Sequence, residues 1–284
     1  MGLTDVDALS ARLGDERLRI CDVRWYLNKP GAGRAAYEAG HIPGAVFMDL
    51  DADLSDMAGY GAPGRHPLPS AEAFRVRLES MGIGSDTSVV AYDDMGGVVA
   101  ARLWWMLHNL GHRGGVALLD GGITAWLEQG LPLSTVEPSP ARAQLELADH
   151  WTNVIARDEL AARLGSVNLL DARSGERYRG EVEPIDPIPG HIPTAISAPT
   201  LNNLDGSGRF LDQPALIARF AGLLAEDRPS VSYCGSGTNA CHSALAMRLA
   251  GLPDPIVYVG SYSDWSRSGM PIATGSEPGA PELG

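Results

Sequence analysis

Five stretches of this chain occur twice, in the same order. Arg19–Arg24 is matched by Asn168–Arg173, which aligns Asp22 and Arg24 with Asp171 and Arg173. Gly40-His41-Ile42-Pro43 returns as Gly190-His191-Ile192-Pro193, and Val90–Asp93 returns as Val231–Cys234. Ala117–Gly121 with Trp126 is matched by Ile256–Gly260 with Trp265, and Gly130–Pro132 by Gly269–Pro271. Ordered recurrence of this kind marks a duplication, and two copies make two domains rather than a solenoid. Within each copy, short apolar runs that read as buried strands alternate with helical stretches such as Pro69–Met81 and Val98–Leu110, which indicates an α/β fold with a mainly parallel sheet. Ser70 is a suitable N-cap for the first of these helices, and Gly82 lies just past its end. The join falls in Pro132–His150, where Pro138 and Pro140 interrupt any periodicity. The expected division is residues 1–137, a linker at 138–150, and residues 151–284.

The copies differ at one chemically decisive position. Where the strand Ser230–Tyr233 ends, the second copy has Cys234, followed by Gly235, Ser236, Gly237, Thr238 and Asn239, and then a helix. Unpaired N–H groups and the dipole at a helix N-terminus favour an anion, and the thiolate is the reactive form of cysteine. The first copy has Asp93 there, which cannot form the same covalent adduct. The first half is therefore expected to be catalytically silent and to serve by shaping the cleft.

Composition narrows the chemistry. The net charge of −13 argues against nucleic acid or an anionic membrane surface as partner. No apolar run is long enough for a membrane span, and residues 1–7 lack the basic and apolar regions of a signal peptide, so the cytoplasm is the expected location. Three cysteines make no disulfide framework. Cys234, Cys241 and His242 match no common zinc spacing, so no metal is expected.

These residues resemble the two-domain rhodanese-like sulfurtransferases, which act on thiosulfate or 3-mercaptopyruvate. The likeness rests on the two Asp-x-Arg and two Gly-His-Ile-Pro motifs, on Asp120–Trp126, and on the loop Cys234–Ala240, and it covers nearly the whole chain. It implies two tandem rhodanese-like domains, each a mainly parallel sheet flanked by helices, with the active site between them. It also implies that Cys234 takes a sulfane sulfur from a small anionic donor, becomes a persulfide, and passes the sulfur to cyanide, a thiol or a thioredoxin-like protein. No cofactor is required. The loop residues Gly235, Gly237, Thr238 and Asn239 would hold the substrate, together with Arg177. Ser236, His66 and Asp51 match a proton-transfer set found in the mercaptopyruvate branch.

The donor is less sharply defined. Cys234–Gly237 has the form common in the mercaptopyruvate branch, whereas the thiosulfate branch commonly has basic residues after the cysteine. Against this, Asp186 stands where the mercaptopyruvate branch carries a second arginine, and an Asp there is expected to repel a substrate carboxylate. Arg179 is a candidate substitute, but on an extended chain its offset would turn it to the other face. The sequence thus puts thiosulfate first, with 3-mercaptopyruvate close behind. A cysteine phosphatase needs an arginine inside the loop, and Gly235–Ala240 has none. A non-enzymatic binding module is the other alternative, and Cys234 argues against it. The duplicated Asp22, Asp171, His41 and His191 read as structural, with the histidines bonding backbone carbonyls. Cys241 reads as a small buried helix residue.

Overall fold

The computed structural model describes residues 2–59, 64–225 and 227–281. The outer ends of the expected spans, residue 1 and residues 282–284, lie outside these. The chain divides into two units. The first holds the chain up to Asp56, Leu68–Thr152 and Gly206–Phe210. The second holds Met57–Pro67, Asn153–Asp205 and the chain from Leu211 onward. Each unit therefore includes a short segment from the other half of the sequence.

In the first unit the order is β1 (Leu3–Thr4), α1 (Val6–Ser10), β2 (Leu18–Asp22), α2 (Ala32–Ala39), β3 (Val46–Phe47), α3 (Ala71–Ser80), β4 (Ser88–Tyr92), α4 (Ala100–Asn109), β5 (Val116–Leu119) and α5 (Gly122–Glu128). Its five strands pair in parallel, in the order β1-β5-β4-β2-β3. In the second unit the order is α6 (Arg157–Ala162), β6 (Asn168–Asp171), α7 (Gly175–Arg179), β7 (Ile196–Ser197), α8 (Gln213–Ala221), β8 (Ser230–Tyr233), α9 (Thr238–Leu249), β9 (Ile256–Val257) and α10 (Ser261–Trp265). Its four strands are also parallel, in the order β7-β6-β8-β9. Both are the parallel-sheet α/β units that the duplication predicts. Ser70 caps α3 as expected, accepting the Ala73 N–H at 3.1 Å.

The duplicated motifs turn out to be one framework built twice. Register places Asp22 beside Tyr92, and Asp171 beside Tyr233. Tyr92 donates to Asp22 Oδ2 at 2.8 Å, and Tyr233 to Asp171 Oδ2 at 2.7 Å. Arg24 and Arg173 donate to the same carboxylates and reach on to the carbonyls of Gly40 and Gly190. His41 Nδ1 lies 2.8 Å from the Tyr37 carbonyl, and His191 Nδ1 lies 2.8 Å from that of Tyr178. Trp126 and Trp265, both fully buried, donate to the carbonyls of Pro132 and Pro271. Buried polar groups need partners, and the repeated Asp, Arg and Tyr side chains supply most of them here, although among the described residues His191 Nε2 is buried without one. Trp104, Trp105 and Met106 are core residues of α4. Among the described residues no helix is long and apolar enough to cross a membrane.

Candidate active site

Strand β8 delivers Cys234 to the start of α9. Its Sγ accepts the N–H of Gly237 at 3.1 Å and the N–H of Ser236 at 3.4 Å. Both amides belong to the turn that opens the helix, so they would hold an anionic sulfur without reorganisation. Gly237 makes the turn possible: its φ of 87° is a left-handed value that a residue with a Cβ adopts only at a cost. Thr238 and Asn239 form the first turn of α9, and among the described residues Thr238 Oγ1 is buried without a hydrogen-bond partner. Below the loop, α10 is tied on by its backbone: Tyr262 N–H donates to the Cys234 carbonyl and Ser263 N–H to that of Gly235.

The corresponding loop of the first unit is filled by its own side chain. The Asp93 carboxylate accepts the N–H groups of Met95, Gly97, Val99 and Ala100 at 2.7–3.0 Å. A carboxylate thus fills this loop, and it takes the Met95 N–H, which corresponds to the Ser236 N–H that the second unit offers to sulfur.

His66 belongs to the second unit, because Met57–Pro67 packs there. Gly64 leaves no room for a Cβ beside the Gly260 carbonyl, and Arg65 N–H donates to Ser263 Oγ at 3.1 Å. This docking sets His66 Nδ1 2.8 Å from Ser236 Oγ, and both residues are buried. Asp51 lies in the first unit, where Trp25 Nε1 donates to it at 3.1 Å.

Arg177 also lies close to the loop. A methyl group placed on Gly235 would come within 3.4 Å of Arg177 Nη1 and 2.7 Å of Arg65 Nη2. Arg65 was missed in the sequence reading; the only signal was a basic residue next to His66. Two expectations need correction. Asp186 does not stand as an open negative charge: its side chain has no exposed surface, and Arg65, Arg177 and Arg267 all bond to it. Arg179 stands on a helix, α7, rather than an extended chain, and pairs with Glu181 at 2.7 Å. Two positions around a helix is more than half a turn, so Arg179 is directed away from Arg177.

The other two cysteines are built into the protein interior. Burial pushes the Cys21 thiol up to about 12. Cys241 is fully buried and donates to the Gly237 carbonyl at 3.3 Å. Iodoacetate at neutral pH is therefore expected to label Cys234 first, since thiolate character governs the rate. Peptide mapping that found Cys21 or Cys241 labelled ahead of it would contradict this picture.

Comparison with known proteins gives the family. The Rhodanese-like domain family matches residues 5–129 and again residues 156–268. The chain belongs to the rhodanese-like family. A Pseudomonas aeruginosa protein named "Probable 3-mercaptopyruvate sulfurtransferase" is 45% identical over 279 residues, covering 96% of this chain and 98% of that one. Rat thiosulfate sulfurtransferase is 33% identical over 262 residues, covering 89% and 86% of the two chains. The crystal structure of the 3-mercaptopyruvate sulfurtransferase SseA from Escherichia coli superposes with a TM-score of 0.79 at 29% identity, covering 92% of this chain and 98% of that one. The rhodanese-like fold is thus present twice, with a cysteine in the second loop and an aspartate in the first.

Proposed function

We propose that this rhodanese-like protein is a sulfurtransferase with 3-mercaptopyruvate as its preferred donor and thiosulfate as a second one. The Cys234 thiolate attacks the donor's transferable sulfur, the outer sulfur of thiosulfate or the thiol sulfur of 3-mercaptopyruvate, and becomes a persulfide. With thiosulfate, the S–S bond breaks, its electron pair leaves with sulfite, and no proton moves. With 3-mercaptopyruvate, the C–S bond breaks and its electron pair leaves on carbon as an enolate. The proton of the donor thiol must then reach that carbon to give pyruvate. Cyanide can take the outer sulfur as thiocyanate and restore the thiolate; a thiol or a thioredoxin-like protein would serve the same role.

The observation that carries the donor preference is the 2.8 Å contact between Ser236 Oγ of the cysteine loop and His66 Nδ1. A hydroxyl paired with an imidazole is a proton relay, and only the mercaptopyruvate reaction needs one. Asp51 is the third member that the sequence proposes. This order of donors reverses the one read from the sequence, where Asp186 weighed against a carboxylate.

Steady-state rates with each donor test the proposal. Ser236→Ala is expected to lower kcat/KM for 3-mercaptopyruvate by about 10²-fold, in the range of general acid–base effects, and to leave thiosulfate within about threefold. An equal loss with both donors would show that Ser236 only shapes the loop. A wild type much faster with thiosulfate would restore the opposite order.

A further inference from the structure

Asp186 and its arginines form an arrangement that the proton relay does not use. Its two carboxylate oxygens are shared between guanidiniums: Oδ1 takes Arg65 Nη1 and Arg267 Nη1, and Oδ2 takes Arg177 Nη2 at 3.2 Å. Arg177 is braced further by Glu183, which accepts its Nε at 3.1 Å and its Nη2 at 2.7 Å. Every contact is made by one edge of each guanidinium. The other edges, Arg65 Nη2 and Arg177 Nη1, converge on Gly235, the residue after Cys234. Among the described residues neither of these two nitrogens has a hydrogen-bond or ion-pair partner. Arg65, Arg177 and Arg267 against Asp186 and Glu183 leave one net positive charge, in a protein whose overall charge is −13.

We propose that Arg65 is a second donor-binding group, which with Arg177 grips the carboxylate of a 2-oxo acid donor, and that Asp186 is the positioning residue for both guanidiniums. This rests on the reading of the protein as a 3-mercaptopyruvate sulfurtransferase. A guanidinium presents its N–H groups in a rigid planar fork. If one edge is pinned by a buried carboxylate, the orientation of the other is fixed. Two such edges on neighbouring residues suit the two oxygens of a carboxylate, and charge-assisted bonds of this kind are among the stronger ones. The sulfonate end of thiosulfate offers the same oxyanion chemistry, so both donors must be compared. Asp186 therefore acts opposite to its formal charge. It attracts no donor, yet without it the two guanidiniums would repel each other and move apart.

The test is KM against kcat for Arg65→Gln, Arg65→Lys and Asp186→Asn, with 3-mercaptopyruvate and with thiosulfate, together with competitive inhibition by pyruvate. Arg65→Gln is expected to raise KM for 3-mercaptopyruvate and the inhibition constant of pyruvate by about 10- to 100-fold, with kcat within about threefold, as for an interaction made equally in ground and transition states. Arg65→Lys should recover only part of this, because an ammonium cannot hold Asp186 and the donor in one plane. Asp186→Asn is expected to raise KM as well. A fall in KM would mean that Asp186 repels the donor, and would overturn its positioning role. Unchanged KM and pyruvate inhibition in Arg65→Gln would overturn the role of Arg65, even if Asp186→Asn does not fold. A larger KM effect of Arg65→Gln on thiosulfate than on 3-mercaptopyruvate would overturn the carboxylate assignment. If the wild type shows no turnover of 3-mercaptopyruvate at all, the underlying reading fails instead.

Discussion

Cys234→Ser is expected to gain no sulfur from either donor, and its turnover is expected to fall by at least about 10³-fold, as happens when an enzymatic nucleophile is removed. The wild type incubated with donor should gain the mass of one sulfur atom and lose it on adding cyanide. A hydroxyl on the same amides is a poor nucleophile towards sulfur, and it accepts those N–H groups without becoming an anion at neutral pH. The loop should remain folded, because α10 is fastened through the backbone carbonyls of Cys234 and Gly235 rather than through the thiol. Sulfur uptake by Cys234→Ser would place the reactive sulfur elsewhere and refute the site.

The second large effect falls on stability. Asp171→Ala removes the acceptor of Arg173 and of Tyr233, both of which are almost wholly buried. Arg173 would keep its bond to the Gly190 carbonyl and its contact with Glu183 at 3.3 Å, but it would lose its closest counter-charge. Removing one partner of a buried ion pair costs about 3–5 kcal/mol, which is a large share of the stability of an ordinary domain. Urea unfolding measures this directly. A loss below about 1 kcal/mol would show that the pair is not a structural support. Asp22→Ala should cost a similar amount, because Arg24 and Tyr92 repeat the arrangement.

The framework was legible in the sequence because it was written twice. Asp22, Arg24, His41 and Trp126 each have a counterpart in the second unit, and the same hydrogen bonds recur there. Cys234 was legible for the opposite reason, as the place where the copies diverge. The contacts of Asp186 were not legible. Its formal charge can be read from one letter, but its neutralisation depends on Arg65, which is 121 positions away. The error over Arg179 has a local cause: α7 has five residues, too few to show a helical period. That His66 packs beside Ser236 could be guessed only from resemblance, because the distance along the chain is 170 residues.

The placement of Met57–Pro67 in the second unit has a consequence for biosynthesis. A ribosome delivers the first half long before Ser236 and Ser263 exist, and domains tend to fold as they emerge. The strands β1–β5 can pair as soon as they leave the exit tunnel. Arg65 and His66 must meanwhile wait in an unfinished loop until nearly the last residues have been made. The sheet of the first unit can thus be complete while the chemistry is not. A nascent chain stalled before β8 would have the first sheet but not the second, whose inner strand is β8; it would carry neither the sulfur nucleophile nor a seated histidine, so sulfur transfer can begin only at the end of translation.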